Sequence, residues 1–137
     1  MNNLAELTDI QFEKQFQQRS VDPSLFSHEA HLRLAWIHIH RYGVEKAITN
    51  VCTQLKSFVR SLGALEKYNE TVTVASLKVV HHFMLKSETN NFQDFISENH
   101  QLKSDFKQLL GSHYTIDIFN SPVAREKFLE PELLPFD

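Results

Sequence analysis

Two histidines three residues apart are the side chains of this sequence best suited to chemistry. His28 and His31 fall on one predicted helix, so the two imidazoles share a face about one turn apart. Imidazoles at that spacing could ligate one metal ion, or could take up and release a proton near neutral pH. Two polar surface residues in the first turn of a helix would show the same spacing, so the pair alone does not define a site.

A second polar segment, KYNET at positions 67–71, directly precedes the fourth predicted helix. If helices two, three and four alternate in direction, the N-termini of helices two and four lie at one end of a bundle. Free backbone N–H groups and the positive ends of two helix dipoles favour an anionic ligand there. We therefore predict a site for a small polar or anionic molecule, with His28, His31 and Glu70 as the acid–base residues. The residues predicted to bind the ligand beside them are Tyr68, Asn69 and Thr71.

Structural roles compete with this prediction at several positions. Glu70 and Thr71 could simply cap the fourth helix, and Tyr68 could be a partly buried aromatic whose hydroxyl bonds to backbone. His38 continues the stripe of His28 and His31 and is a further candidate for the ligand pocket, although a core histidine is the favoured interpretation. A metal site formed by His28, His31 and Glu70 is a third alternative.

Helix-terminating residues and hydrophobic periodicity predict an all-α fold. The predicted helices cover about 8–19, 28–42, 44–62, 71–86, 91–99, 104–111 and 122–128. Thr8 and Gln11 form a capping box, Ser27 caps the second helix, and Gly43 ends it. We expect a single domain over residues 1–137, built as a bundle of five to seven helices. The Pro-rich C-terminal tail should lie extended on its surface.

The third predicted helix shows the clearest pattern. Its apolar residues step by four and three, which is a heptad seam. The seam consists of Val44, Ile48, Val51, Leu55, Phe58 and Leu62. Cys52 lies beside this seam, and we expect a small buried residue there rather than a reactive thiol.

Composition excludes several classes of protein. The formal charge of −3, without a basic block, argues against a nucleic-acid-binding domain. A single cysteine cannot form an internal disulfide. No apolar run reaches the length of a membrane span, and the start MNNLAELTDI lacks the layout of a signal peptide, so we predict a cytoplasmic protein with no membrane partner. Eleven phenylalanines suit a core or a self-association surface, and on that basis we predict a homodimer.

Three separated blocks resemble a family of short, uncharacterised bacterial proteins. The family pattern reads F-x-H-x-x-H-L-R-x-A-W, K-Y-H-E-T-x-T and S-P-x-A-R-x-x-F-x-E-P-[DE]-L-x-x-L-P, and the corresponding stretches here are 26–36, 67–73 and 121–135. The resemblance implies a role beyond packing for the following residues: His28, His31, Tyr68, Glu70, Thr71 and Arg125. It implies no particular activity and no particular cofactor.

Two positions depart from that family pattern. Asn69 stands where the family has His, and Ser76 stands where it tends to have Trp. An asparagine can still hydrogen-bond a ligand, so a site for a polar small molecule survives this change better than a metal site does. Three functions therefore stand as hypotheses: a small-molecule-binding protein with acid–base catalysis by histidine, a non-enzymatic homo-oligomeric adaptor, and a metal-dependent hydrolase or transferase.

Overall fold

The computed structural model describes residues 4–136, and this range is helical without any β-strand. The all-α prediction is therefore confirmed. The chain divides into two compact units, Met1–Tyr68 and Asn69–Asp137, each of which is described by itself below.

Three α-helices and three short 3-10 turns build the first unit. The helices are α1 (Asp9–Gln17), α2 (His28–Tyr42) and α3 (Val44–Ser61), and the 3-10 turns are Leu4–Glu6, Pro23–Leu25 and Leu65–Lys67. Helices α2 and α3 pack as a hairpin, and α1 contacts both of them. Gly43 alone separates α2 from α3, with φ of 86°. A residue without Cβ adopts that left-handed φ without strain, which explains why glycine makes the turn.

The predicted caps of the first unit are confirmed. The Thr8 side chain accepts a hydrogen bond from the Gln11 backbone N–H, and the Gln11 side chain accepts one from the Thr8 N–H, which completes the capping box. Ser27 Oγ accepts a hydrogen bond from the Ala30 N–H at the start of α2. The Ser27 cap positions the first turn of α2, where His28 and His31 lie.

The core of the first unit is centred on α2, which is buried on most of its sides. The buried residues of the three helices include Phe12, Phe16, Leu32, Leu34, Ala35, Trp36, Ile37, Ile39, Ala47, Val51, Cys52 and Phe58. The predicted seam of α3 is right in its middle and wrong at its end, because Leu62 lies beyond the last helical residue and is 47% exposed. Ala47, which was outside the predicted seam, is fully buried. A small side chain at this position allows α3 to approach its neighbours closely.

Helix α4 organises the second unit and packs against α7 and α8. The helices of this unit are α4 (Glu70–Leu85), α5 (Phe92–Glu98), α6 (Gln101–Ser104), α7 (Phe106–Gly111) and α8 (Pro122–Glu126). Residues 4–136 thus hold eight α-helices rather than the five to seven expected. The additional one arises because Asp105, with φ of −128° and ψ of 29°, separates α6 from α7.

The tail of the second unit, residues 127–136, contains no helix and lies extended along the segment after α7. The Leu133 N–H donates to the His113 carbonyl at 3.0 Å. In return, His113 Nδ1 donates to the Leu134 carbonyl at 2.8 Å. The Phe136 ring packs against the His113 imidazole at 4.2 Å. These contacts confirm the extended tail predicted from its proline content.

Candidate functional site

The predicted site residues divide equally between the two units. His28, His31, His38 and Tyr68 belong to the first unit, and Asn69, Glu70, Thr71 and Arg125 belong to the second. The structure brings His28 and His31 together on the first turn of α2. The prediction that these two histidines and the residues around Glu70 bind one ligand stays a prediction.

Local hydrogen bonds fix the backbone of the segment that precedes α2. Asp22 Oδ1 accepts hydrogen bonds from the Ser24 backbone N–H at 3.0 Å and from the Ser24 hydroxyl at 2.8 Å. The Ser27 N–H then donates to the Leu25 carbonyl at 2.9 Å, across Phe26 with φ of −82° and ψ of 72°. These angles and this bond define an inverse γ-turn. The turn fixes where the Phe26 ring and the Ser27 carbonyl point.

The Ser27 carbonyl determines the tautomer of His31. His31 Nδ1 lies 2.8 Å from that oxygen. A carbonyl oxygen only accepts, so Nδ1 must carry the proton, and Nε2 of the neutral ring carries the lone pair. A histidine oriented in this way through one nitrogen is prepared to use the other as a base or as a ligand.

The His31 imidazole also lies against an aromatic ring. The ring centroids of Phe26 and His31 are 3.8 Å apart. Although the His31 residue is exposed, the protein around its ring lowers the His31 pKa, mainly by desolvation. The hydrogen bond to Ser27 opposes this shift, and the charge of nearby His28 adds to it. The lowered pKa keeps His31 neutral near pH 7, which is the protonation state of a general base.

His38 lies in the core of the first unit rather than at its surface, and its side chain is fully buried. Its Nδ1 is 3.5 Å from Asn50 Nδ2, which is long for a hydrogen bond, and its Nε2 has no hydrogen-bond partner among the described residues. Burial lowers the His38 pKa, with a smaller opposing effect of the Glu13 carboxylate. This position does not suit contact with an exchangeable ligand.

A buried carboxylate network beside His38 was missed by the sequence analysis. Glu13 of α1 accepts hydrogen bonds from the Arg41 guanidinium and from the Tyr42 hydroxyl at the end of α2. The hydrogen bond to Glu13 raises the pKa of Tyr42. Glu13 lies between Phe12 and Phe16 on the buried side of α1, and a charged residue within that apolar pattern indicates a buried partner.

Tyr68 is buried at the end of the first unit, and the Lys56 ammonium lies 5.0 Å from the centre of its ring. This is a cation–π arrangement, in which the negative face of the ring attracts the ammonium. The lysine belongs to α3, so the contact ties the segment after α3 to that helix. The aromatic ring of Tyr68 therefore has a packing role.

Asn69 is the N-cap of α4, a role that the sequence analysis considered only for Glu70 and Thr71. Its Oδ1 accepts a hydrogen bond from the Val72 N–H at 3.0 Å. Its Nδ2 donates to the Ile118 carbonyl at 2.9 Å. The amide therefore uses both of its ends to join the start of α4 to the segment before α8.

Thr71 has a comparable structural role. Its fully buried hydroxyl donates to the Lys127 carbonyl at 2.8 Å and accepts from the Leu129 N–H at 3.1 Å. Glu70, the first residue of α4, is half-buried, and Arg125 is exposed on α8. Helix α8 packs on α4, and the Thr71 hydroxyl joins the first turn of α4 to the residues that follow α8.

A surface depression of about 310 Å³ lies elsewhere in the second unit. It is lined by Lys107, Gln108, Gly111, Ile116, Asp117, Ile118 and Phe119. The Lys107 ammonium lies 5.4 Å from the centre of the Phe119 ring, so it makes a cation–π contact at the wall of the depression. The depression includes none of the residues predicted to form the site.

Among the described residues, no three His, Cys, Asp or Glu side chains are grouped so that they could hold a metal ion. Within the same part of the chain, every helix is too short or too polar to cross a membrane.

The chain matches no protein-family model, no curated protein and no solved structure.

Proposed function

We propose that the protein binds a small polar or anionic molecule at the first turn of α2, where His31 Nε2 accepts a hydrogen bond or a proton from the ligand. The observation that supports this proposal is the 2.8 Å contact between His31 Nδ1 and the Ser27 carbonyl, which leaves the lone pair on Nε2. The exposure of His31 and its lowered pKa are consistent with a base that works near neutral pH.

The first turn of α2 favours a negatively charged ligand. His28 is exposed there, one turn before His31, and lies close enough to lower the His31 pKa. The positive end of the α2 dipole attracts an anion, while the neutral His31 accepts a hydrogen from an O–H or N–H group. The proposed ligand thus carries both a negative charge and a hydrogen-bond donor, as a hydroxy acid or a hydrogen phosphate does.

The metal-dependent alternative has less support. Two imidazoles would supply two ligands, and structural or catalytic zinc sites use at least three protein ligands. Neither unit groups a third His, Cys, Asp or Glu with them among its described residues.

The sequence further leads us to propose a cytoplasmic homodimer, which light scattering and cell fractionation would test.

The binding proposal is tested by screening small hydroxy acids and phosphates with ¹H–¹⁵N NMR. Ligands that bind here should shift the amide signals of residues 26–31, and His31→Ala should abolish the effect. His100→Ala is a matched control, since His100 is also exposed and lies in the second unit. The proposal is wrong if a ligand binds the His31→Ala protein as tightly as the parent, or if no compound shifts these signals.

A further inference from the structure

We infer that Phe26 is the positioning residue for the His31 imidazole, because it joins that ring to the aromatic core of the first unit. The inference rests on the proposed function in taking His31 as the reacting group. It goes further by assigning the orientation of that group to a neighbouring residue that takes no part in the proposed proton transfer.

Phe26 contacts rings from three different elements. Its ring centroid lies 5.0 Å from that of Phe16 on α1 and 5.4 Å from that of Phe58 on α3, the latter in an edge-on arrangement. Phe16 and Phe58 are themselves 5.0 Å apart. Phe26 also packs on His31 of α2, with ring centroids 3.8 Å apart. Phe16 and Phe58 are buried, so Phe26 links the exposed imidazole to side chains that cannot move freely.

The backbone at Phe26 adds a second restraint. The inverse γ-turn from Leu25 to Ser27 sets the direction of the Phe26 side chain, and the preceding 3-10 turn is itself capped by Asp22. The next residue, Ser27, supplies the carbonyl that binds His31 Nδ1. Two consecutive residues therefore restrain the imidazole, one at its face and one at its edge.

These two contacts act on different motions of the His31 ring. The hydrogen bond to Ser27 selects the rotation that directs Nδ1 toward the carbonyl, but one hydrogen bond allows the ring plane to tilt. Packing on Phe26 limits that tilt and keeps water from one face of the imidazole. The direction of the Nε2 lone pair thus depends on both residues, as pre-organisation of a base requires.

The experiment that tests this inference measures the pKa of the His31 imidazole in the full chain. Phe26→Leu removes the aromatic face and keeps an apolar side chain, whereas Phe26→Tyr keeps the aromatic ring. We expect Phe26→Leu to raise the His31 pKa toward the ordinary value of about 6.5 in ¹⁵N NMR titrations, while the Ser27 carbonyl keeps the proton of the neutral ring on Nδ1. Phe26→Tyr should retain the parent pKa.

Phe95→Leu controls for a general loss of stability, since Phe95 is a buried phenylalanine of the second unit. It should destabilise the protein and leave the His31 titration unchanged. An unchanged titration in Phe26→Leu would overturn the inference, as would an equal change in Phe95→Leu. If Phe26→Leu does not fold, Phe26→Met replaces it with a longer apolar side chain. These readouts need no ligand, so the inference can hold even if the screen for ligands fails.

Discussion

Ser27 accepts two hydrogen bonds from His31, one from its backbone N–H at 3.0 Å and one from its imidazole Nδ1 at 2.8 Å. The first is the ordinary bond that begins α2, and the second orients the side chain. A single carbonyl therefore couples the start of the helix to the chemistry of the histidine. The Ser27 hydroxyl, which caps the helix through the Ala30 N–H, is separate from both bonds.

This separation of roles predicts that Ser27→Ala affects stability and leaves the imidazole unaltered. Loss of the cap should lower the free energy of unfolding by about 1 kcal/mol in urea denaturation. The carbonyl remains, so the His31 tautomer in ¹⁵N NMR should match that of the parent. A changed tautomer would show that the hydroxyl contributes to orienting the ring.

The Glu13 carboxylate should contribute measurably to the stability of the first unit. Glu13→Gln replaces the charged acceptor of Arg41 and Tyr42, and we expect it to lower the free energy of unfolding by about 1–3 kcal/mol. The Tyr42 pKa, which Glu13 raises, should fall in the same variant when the phenol is titrated by ultraviolet absorbance. Tyr42→Phe is the matched control, because it removes one hydrogen bond and leaves the ion pair to Arg41 intact. A loss in Tyr42→Phe as large as that in Glu13→Gln would show that the charge on Glu13 is unimportant.

Stability should fall as the pH drops below about 6.5, the pKa of an unfolded histidine. His31, His38 and His81 all have lowered pKa values in the folded chain, chiefly because of desolvation. Between the unfolded and the folded pKa, the unfolded state binds more protons, so acid favours unfolding. Above pH 6.5 both states are neutral at these residues, and their contribution is fully present.

Urea denaturation between about pH 5 and 8 tests this dependence, and His38→Leu should make it shallower. Val51→Ala serves as the control, since it removes a buried apolar group that does not titrate. It should lower stability equally at every pH. An unchanged pH dependence in His38→Leu would contradict the assignment of His38.

Thr71→Val should weaken the attachment of the tail in the second unit. The variant leaves the Lys127 carbonyl and the Leu129 N–H without their partner, at a cost of about 1–3 kcal/mol. Amide exchange of Leu129 should accelerate in consequence. Thr49→Val is the control, because Thr49 is exposed and its hydroxyl makes only a long contact of 3.4 Å with the Glu45 carbonyl. The prediction is wrong if exchange at Leu129 is the same in both variants.

Features determined by neighbours in sequence could be predicted from the sequence. The capping box at Thr8, the cap at Ser27 and the turn at Gly43 depend on residues within four positions. The pairing of His28 with His31 follows in the same way from helical spacing.

Features that join distant segments could not be predicted. The roles of Glu13 and Asn69 depend on partners 28 and 49 residues away, Arg41 and Ile118, and helix periodicity does not say which helix faces meet. The interruption at Asp105 was missed for a different reason, since neither glycine nor proline marks it. Whether a cap residue can also bind a ligand depends on such distant partners too.

The hydrogen bonds of the Thr71 hydroxyl impose an order on folding during synthesis. They join the first turn of α4 to residues 56 and 58 positions later, whereas the α2–α3 hairpin closes through a single glycine. On the ribosome, the hairpin can therefore form soon after α3 emerges, while the start of α4 must wait for a much later part of the chain. During that interval the buried side chains of α4, among them Val74 and Leu77, lack the packing that α7 and α8 later supply.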